Sequence, residues 1–494
     1  MNFARDVVDA VSPERPALLE LARDGSRREW SFGEVSAGAA ALAGRLASVG
    51  VRPGDVVMTL VGNRPEWVLT MVACFRIGAV ALPCSEQLRA GDLRSRLVAA
   101  SPRVIVCDER NLAELTAAGP GGTEVLAVPD ASLFAAAPTG GRGSRATTPA
   151  PPFAELAASD PCLITFTSGT TGTAKGIVHG QRYLTGQRLQ AEHWLAPRPG
   201  DLVWCTAASG WSKSARNVFI APWLRGATAV LHDARFDPAQ RLELLAAERV
   251  NVVCMAPTEY RMIAKRATLS PLPELHGLVA AGEALNPEVL HAWREVTGVE
   301  IRDGYGQTET GQLTGNRPGE PSRPGSMGLP LPGIALDVDD GELVLADPAT
   351  DPTFFVGYLD GQPAPIDEPW RTGDRVRADS DGYLYFEGRT DDVIISAGYR
   401  IGPFEVESAL ISHGAVAEAA VVAAPDPERG SVVRAVVVLR DGFAGGESLA
   451  RELQAHVRSR TAPYKYPRIV EFVGELPKTA SGKVQRALLR DTLS

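Results

Sequence analysis

The chain has 494 residues, 45% of them apolar and 22% charged, the profile of an ordinary globular protein with apolar material for more than one core. Its formal net charge of -9 argues against a nucleic-acid binder, because counterion release rewards basic surfaces. Small anionic ligands stay open, since local basic sites can sit on an acidic protein.

The first sixteen residues, "MNFARDVVDAVSPERP", carry Arg5, Asp6, Asp9 and Glu14 where a signal peptide needs an apolar core. From Asp55 to Asp108 the pattern reads strand "VVMTLVG", helix "PEWVLTMVACFRIG", strand "AVALP", helix "LRSRLVAA" and strand "RVIVCD". Short apolar strands alternating with amphipathic helices predict parallel β/α layers. The longest apolar stretch, Val56 to Cys84, is cut by Asn63, Arg64, Pro65, Glu66 and Arg76, too often for a membrane span. Residues 135–152, "AAAPTGGRGSRATTPAPP", interrupt the alternation and read as an exposed excursion inside one domain.

Alternation resumes with "CLITF", "LVWCTA", "ATAVLHD", "VNVVCMAP", "LHGLVAAG" and "VEIRDGYG", so the α/β body continues to about residue 330. After Gly333 the texture turns to hairpins such as "DDGELVLAD" and "DGYLYFEGR". Beyond Arg389 a compact α+β tail is expected, with a helix opening on Pro403, strands "AVVAAP" and "RAVVVLR", and a helix from Leu449 to Arg460. The division is a body over residues 1–390 and a smaller lid over 391–494, with no internal repeat. The six cysteines, Cys74, Cys84, Cys107, Cys162, Cys205 and Cys254, show no CxxC pair and no ligand spacing to the seven histidines. Free thiols in a reducing, cytoplasmic setting are expected.

Four stretches carry chemistry. In "TFTSGTTGTAKG", residues 165–176, a strand feeds a loop of small residues whose amides and hydroxyls can wrap an oxyanion, with Lys175 supplying charge. The P-loop pattern fails on Ala174 and Gly176, the GxGxxG fingerprint fails as well, and a plain Ser/Thr/Gly surface loop would read alike. "DGYGQTETG", residues 303–311, sets Glu309 among hydroxyls, which suits Mg²⁺ with nucleotide phosphates but equally a capped turn. "WRTGDRV" and "GRTDDVIISAGYRIGPFEVE" place Asp374 and Arg389 just before the lid, as ribose ligands or as a surface ion pair. "LPKTASGKVQR" puts Lys483 in a second small-residue loop.

Together and in this order, the four stretches resemble the adenylate-forming superfamily of acyl-CoA synthetases, peptide-synthetase adenylation domains and luciferases. The likeness runs over nearly the whole chain and is greatest to the medium-chain acyl-CoA synthetase branch, through "GWSKSARNVFIAPWLRGA", "APTEYRM", "AGEALNPEV" and "SAGYRIGPFEVESALISHGAVAEAAVV". The resemblance implies a large multi-layer α/β body under a small mobile lid. It also implies two half-reactions in one site. A carboxylate attacks the α-phosphorus of ATP, giving acyl-AMP and pyrophosphate, and the thiol of coenzyme A then displaces AMP.

The residue roles follow from the same resemblance. Thr167, Ser168, Gly169, Thr170, Thr171 and Gly172 with Lys175 match the cradle for the β- and γ-phosphates. Gly282, Glu283 and Ala284 match the adenine-flanking turn. Asp303, Gly304, Tyr305, Gly306, Gln307 and Thr308 match the segment along adenine and the α-phosphate, and Glu309 the Mg²⁺ carboxylate. Asp374 and Arg389 match the ribose contacts, and Lys483 the lysine that bridges the carboxylate and the α-phosphate. The lid turns about Asp391 between half-reactions, withdrawing Lys483 and bringing in "AGYR". Gly398 then lines the pantetheine tunnel, while Gln87, Tyr399, Arg429, Arg458, Tyr466, Pro467 and Arg468 match coenzyme A contacts and Arg400 lies near the reacting carboxylate. Trp211 and Gly306 match the acyl pocket, Trp211 being equally readable as core, and His179 reads as a packed residue rather than a base.

This sequence departs from the pattern in Ala174, where proline is usual, in Arg458, where lysine is familiar, and in a short N-terminal region. Transfer to a carrier-protein thiol instead of coenzyme A is the rival reading, with a silent nucleotide or acyl-CoA binder behind it. The acid's identity and the oligomeric state are not encoded in these motifs.

Overall fold

The computed structural model describes residues 1–135, 150–167, 174–282, 285, 287–320, 323–397, 399–478 and 484–491. Two large sheets organise the body. One has seven strands in the order Gly357–Tyr358, Gly176–Gly180, Pro161–Phe166, Val80–Cys84, Val56–Leu60, Val104–Asp108 and Glu124–Val128. The other has nine, in the order Leu329–Pro330, Gly311–Gly315, Ile301–Gln307, Gly277–Ala281, Val252–Met255, Leu202–Cys205, Thr228–His232, Pro16–Leu21 and Arg27–Ser31.

Side-chain alternation along the strands sorts three layers of core. Val57, Val104 and Val106 of the seven-stranded sheet join Val203, Cys205, Val252 and Cys254 of the nine-stranded sheet in one cluster, which also takes in the helices Phe32–Ser48 and Pro65–Ile77. These two helices therefore lie between the sheets. Pro65–Ile77 is buried almost all round, its start set by Pro65 at the first turn and its end by Gly78 at φ 73°. The opposite neighbours, Met58, Leu60 and Ile105 on one sheet and Trp204, Val253 and Met255 on the other, face the outer helices. Hence helices cover both faces of both sheets, and strands such as Val252–Met255 are apolar throughout.

The expected parallel layering holds for the sheet centres and for the edge strand Glu124–Val128, and not for the other edges. Pro161–Phe166 with Gly176–Gly180, and Ile301–Gln307 with Gly311–Gly315, are antiparallel. Both reversals fall where short loops rich in small residues permit a hairpin, which a crossover helix would not. Both also fall on proposed nucleotide motifs. The N-terminal hairpin Pro16–Leu21 and Arg27–Ser31 was not anticipated from the sequence. Ahead of the next helix, Ser31 and Glu34 close a reciprocal capping box.

A four-stranded antiparallel sheet, Leu336–Asp339, Glu342–Leu345, Trp370–Ala378 and Leu384–Arg389, follows the large sheets. The C-terminal domain keeps its own core, from Ile394, Ile401 and Val406 to Leu453 and Val457. Its strands Val416–Asp426 and Gly430–Leu439 are joined by a third, Ile469–Val473, parallel to the second, one more than the sequence suggested. The expected helices run Pro403–Ile411 and Glu447–Arg460. The proposed excursion at 135–152 lies mostly outside the described residues.

Candidate active site

Asp374 anchors a buried polar network. In Trp370–Ala378 the inward positions are Thr372, Asp374 and Val376, so the pleat points a carboxylate where an apolar side chain would usually sit. Asp374 is only 5% exposed, and such a group needs partners. They arrive from two elements. Register places Arg389 directly opposite on Leu384–Arg389, with Nη1 donating to Asp374 Oδ1 at 3.2 Å. From Ile301–Gln307, Tyr305 Oη donates to Oδ2 at 2.5 Å and Gln307 Nε2 to the same oxygen at 2.9 Å. Gln307 is pinned at both ends of its amide, because Nε2 also reaches Thr372 O at 2.7 Å and Oε1 accepts from Trp370 Nε1 at 3.0 Å. Burial pushes the Asp374 carboxyl above its usual range, against the pull of Arg389, Tyr305 and Gln307.

Glu309 follows on the same strand–turn segment and is half-buried. Burial raises its carboxyl too, Asp374 adds to the rise, and Arg389 and Lys175 oppose it. Lys175 is exposed, with Nζ 5.6 Å from the centre of the Tyr358 ring. Its carbonyl accepts from the amide of Thr167 at 2.9 Å, which closes the neck of the loop between them. Ser168, Gly169, Thr170, Thr171 and Gly172 lie outside the described residues, as do Glu283, Ala284, Gly398 and Lys483.

Several glycines are explained by space. A Cβ on Gly306 would lie 1.8 Å from Gly311 O, and one on Gly304 would lie 2.4 Å from Gln312 Nε2. Close approach to the neighbouring strand therefore demands both glycines whatever else the segment contacts. Gly282 has φ +104°, a turn that other residues resist. Trp211 is half-buried and packs on the main core. His179 is buried, its ring centre 4.0 Å from that of Tyr183, and it is bonded to the Thr308 backbone. Burial drives its pKa down to about 3, so it is an uncharged packing residue, as expected from the sequence.

The proposed coenzyme A residues are mostly gathered on the C-terminal domain. Arg458 lies 3.7 Å from the centre of the Tyr466 ring and Arg468 5.1 Å from it. Pro467 between them is buried. Tyr399 stacks on Tyr464 at 4.3 Å. Arg429 accepts from the Ala397 amide through its carbonyl at 3.0 Å, beside the hairpin Ile394–Ser396 and Tyr399–Ile401 that carries the backbone of Arg400. Gln87 is exposed on the body. Asp391 is half-exposed, 3.5 Å from Arg389 Nε, and its carbonyl accepts from Arg490.

Sequence reading passed over Tyr358, Trp370, Tyr464 and Lys213. Trp370 opens the quoted stretch "WRTGDRV" and Tyr464 stands two residues before Tyr466, so proximity was the signal available. Lys213 sits inside "GWSKS" itself.

An AMP-binding enzyme family model matches residues 5–349, and the model of that family's C-terminal domain matches residues 405–483. The chain belongs to the AMP-binding enzyme family. Human mitochondrial acyl-coenzyme A synthetase ACSM4 is 40% identical, over 99% of this chain and 90% of its own length. The uncharacterized acyl–CoA ligase YtcI of Bacillus subtilis is 39% identical over 97% and 94%. Among solved structures, the anthranilate CoA ligase AuaEII in complex with anthranoyl-AMP superposes with TM-score 0.87 at 29% identity, covering 100% of this chain and 97% of that one. The benzoate CoA ligase of Burkholderia xenovorans LB400 gives 0.86 at 27%, covering 99% and 100%. This member is an AMP-forming acid–coenzyme A ligase, with ATP, a carboxylic acid and coenzyme A as substrates. Among the described residues no helix is long and apolar enough to cross a membrane.

Proposed function

We propose that the crevice around Asp374 performs adenylation and that residues 391–494 turn as a lid about Asp391 to perform thioester formation in the same place. The observation that supports this most is the convergence of Tyr305, Gln307, Asp374 and Arg389, with Glu309 and Lys175 close enough to share one electrostatic field. Asp374 already accepts from three side chains, so the ribose hydroxyls meet a pre-oriented carboxylate with few lone pairs left to offer. Thr167 to Gly172 and Lys175 hold the β- and γ-phosphates, Gly282 to Ala284 flank adenine, and Asp303 to Thr308 line adenine and the α-phosphate. Lys483 bridges the carboxylate and the α-phosphate in the first step. In the second, Gly398 leaves the tunnel open, and Tyr399, Arg429, Arg458, Tyr466, Pro467 and Arg468, with Gln87 on the body, take coenzyme A. Arg400 approaches the reacting carboxyl group.

A Mg²⁺ ion fits Glu309 on chemistry, since a carboxyl raised by burial gains from a hard cation and the neighbouring hydroxyls are oxygen donors. Bound there, it would neutralise phosphate charge. The acid is a monocarboxylate of medium length, branched or aromatic, with Trp211 as one apolar wall and Gly306 at the throat. The enzyme works in the cytoplasm.

The test is a screen of carboxylic acids with ATP, with and without coenzyme A, read by mass spectrometry. Acyl-AMP alone without coenzyme A, acyl-CoA with it, and a preference that climbs over several carbons at about 0.8 kcal/mol per buried methylene are expected. Acetate as the best substrate would overturn the pocket, and carrier-bound product with no acyl-CoA would overturn the acceptor.

A further inference from the structure

The short strand at one edge of the seven-stranded sheet sets an aromatic ring beside Lys175. Gly357–Tyr358 pairs antiparallel with Gly176–Gly180, Tyr358 standing opposite Ile177, and the Leu359 amide donates to Gly176 O at 2.9 Å. A Cβ on Gly176 would lie 2.8 Å from Leu359 Cβ, so the glycine lets the two backbones close at that point. Lys175 is the residue just before this pairing. Its Nζ comes to 5.6 Å from the centre of the Tyr358 ring, within the reach of a cation–π contact.

The ring is braced from behind. Tyr358 is half-buried. Its amide donates to Gln362 O at 2.7 Å and its carbonyl accepts from the Gly361 amide at 3.0 Å, a tight turn that fixes the backbone under the ring. Phe355, fully buried, packs edge-on against it with the ring centres 5.0 Å apart. The amide of that same Phe355 donates to Glu309 O at 2.8 Å. The span from Phe355 to Tyr358 therefore touches the backbone of the proposed metal carboxylate and the side chain of Lys175 at once. Glu309 also lies in the electrostatic field of both Lys175 and Tyr358.

We propose that Tyr358 is a positioning residue for the first half-reaction: its ring face holds the Lys175 ammonium ready for the β- and γ-phosphates of ATP, in fixed relation to Glu309. The inference rests on the reading that Lys175 serves those phosphates. Lys175 is exposed, and lysine carries its charge on a flexible stem, so settling it on a phosphate costs side-chain freedom. A ring that restricts the stem beforehand lowers that cost. The contact also yields to phosphate, because an exposed cation–π pair is weaker than a charge-assisted hydrogen bond.

The experiment is a double-mutant cycle on Tyr358 and Lys175 that reads the KM for ATP by pyrophosphate release and, separately, acyl-CoA formation from supplied acyl-AMP. Tyr358→Leu, which keeps apolar bulk against Phe355, should raise the KM for ATP about three- to fivefold, the worth of one exposed cation–π contact, with the second half-reaction unchanged. Tyr358→Phe keeps the ring and should recover the wild-type KM. In a Lys175→Met background, Tyr358→Leu should add nothing, because the ring then has no cation to hold, whereas a packing defect would add equally in both backgrounds. A Tyr358→Leu variant with the wild-type KM for ATP would overturn the inference. So would a Tyr358→Phe variant as weak as Tyr358→Leu, which would assign the effect to the hydroxyl, or equal losses in the two backgrounds. If Lys175→Met weakens ATP and Tyr358→Leu does not, the phosphate reading stands and only the role of the ring fails. If Lys175→Met leaves the KM for ATP unmoved, the phosphate reading fails and takes the inference with it.

Discussion

Asp374 is 5% exposed and accepts from Tyr305, Gln307 and Arg389, whereas Tyr399 is 51% exposed and Tyr464 42%, two rings stacked chiefly on each other. The body thus holds its polar groups in a closed network, with each amide and carboxylate oriented before ligand arrives. The C-terminal domain offers aromatic faces and guanidinium groups at its surface. Pre-orientation suits the step in which charge builds at phosphorus, where reorganisation would be costly. A surface of stacked rings and arginines would suit the proposed lid, which meets its ligand in one pose, because these contacts need no permanent partner to stay soluble.

Breaking the second region should give the largest effect. Gly398→Leu is expected to lower acyl-CoA formation by about 100-fold through misplacement of the thiol while pyrophosphate release persists. Normal thioester turnover would remove Gly398 from the tunnel. In the first region, Asp374→Ala leaves Arg389 without its main counter-charge. Since Arg389 keeps a third of its side chain exposed, a loss of about 2 kcal/mol is expected, or about 30-fold in ATP affinity. Calorimetric titration with ATP reads it directly, and Asp374→Asn, which keeps an acceptor for Tyr305, should lose less.

Arg458→Ala tests the surface mode of holding. One cation over Tyr466 should be worth about 1 kcal/mol, a rise of about fivefold in the KM for coenzyme A with the first half-reaction unchanged. An equal rise in the KM for ATP would move Arg458 out of the acceptor site.

The smallest effect concerns His179. Its pKa falls from 6.5 unfolded to about 3 folded, so between those values the unfolded chain binds the extra proton. Stability therefore falls as pH drops below about 6.5, by up to about 1.4 kcal/mol per unit. His179→Phe keeps the ring and removes the proton site. Its unfolding free energy should change less than the wild type's between about pH 7 and pH 5, and parallel curves would contradict a neutral, buried His179.

The alternating apolar runs in Val56–Cys107 and 202–281 showed the sheet centres because buried parallel strands are apolar on both faces. The edges were harder. Pro16–Leu21 and Ile469–Val473 carry glutamates at positions 20 and 471, which read as surface until Trp30 Nε1 and Arg434 are seen to engage them. In the site, the motifs pointed to Asp374 and Arg389 as ribose contacts or an ion pair, and to Glu309 as a metal carboxylate. They did not reveal that Gln307 is clamped between Trp370 and Thr372, because that depends on two strands from different sheets meeting.

The account stands on one site serving two chemistries in turn, and the two half-reactions of Lys483→Ala measure that most directly. Pyrophosphate release from acid and ATP should fall by at least about 100-fold, while acyl-CoA formation from supplied acyl-AMP and coenzyme A stays within about threefold of the wild type. Equal loss of both half-reactions in a folded variant would contradict the division of labour between the body's fixed network and the turning lid.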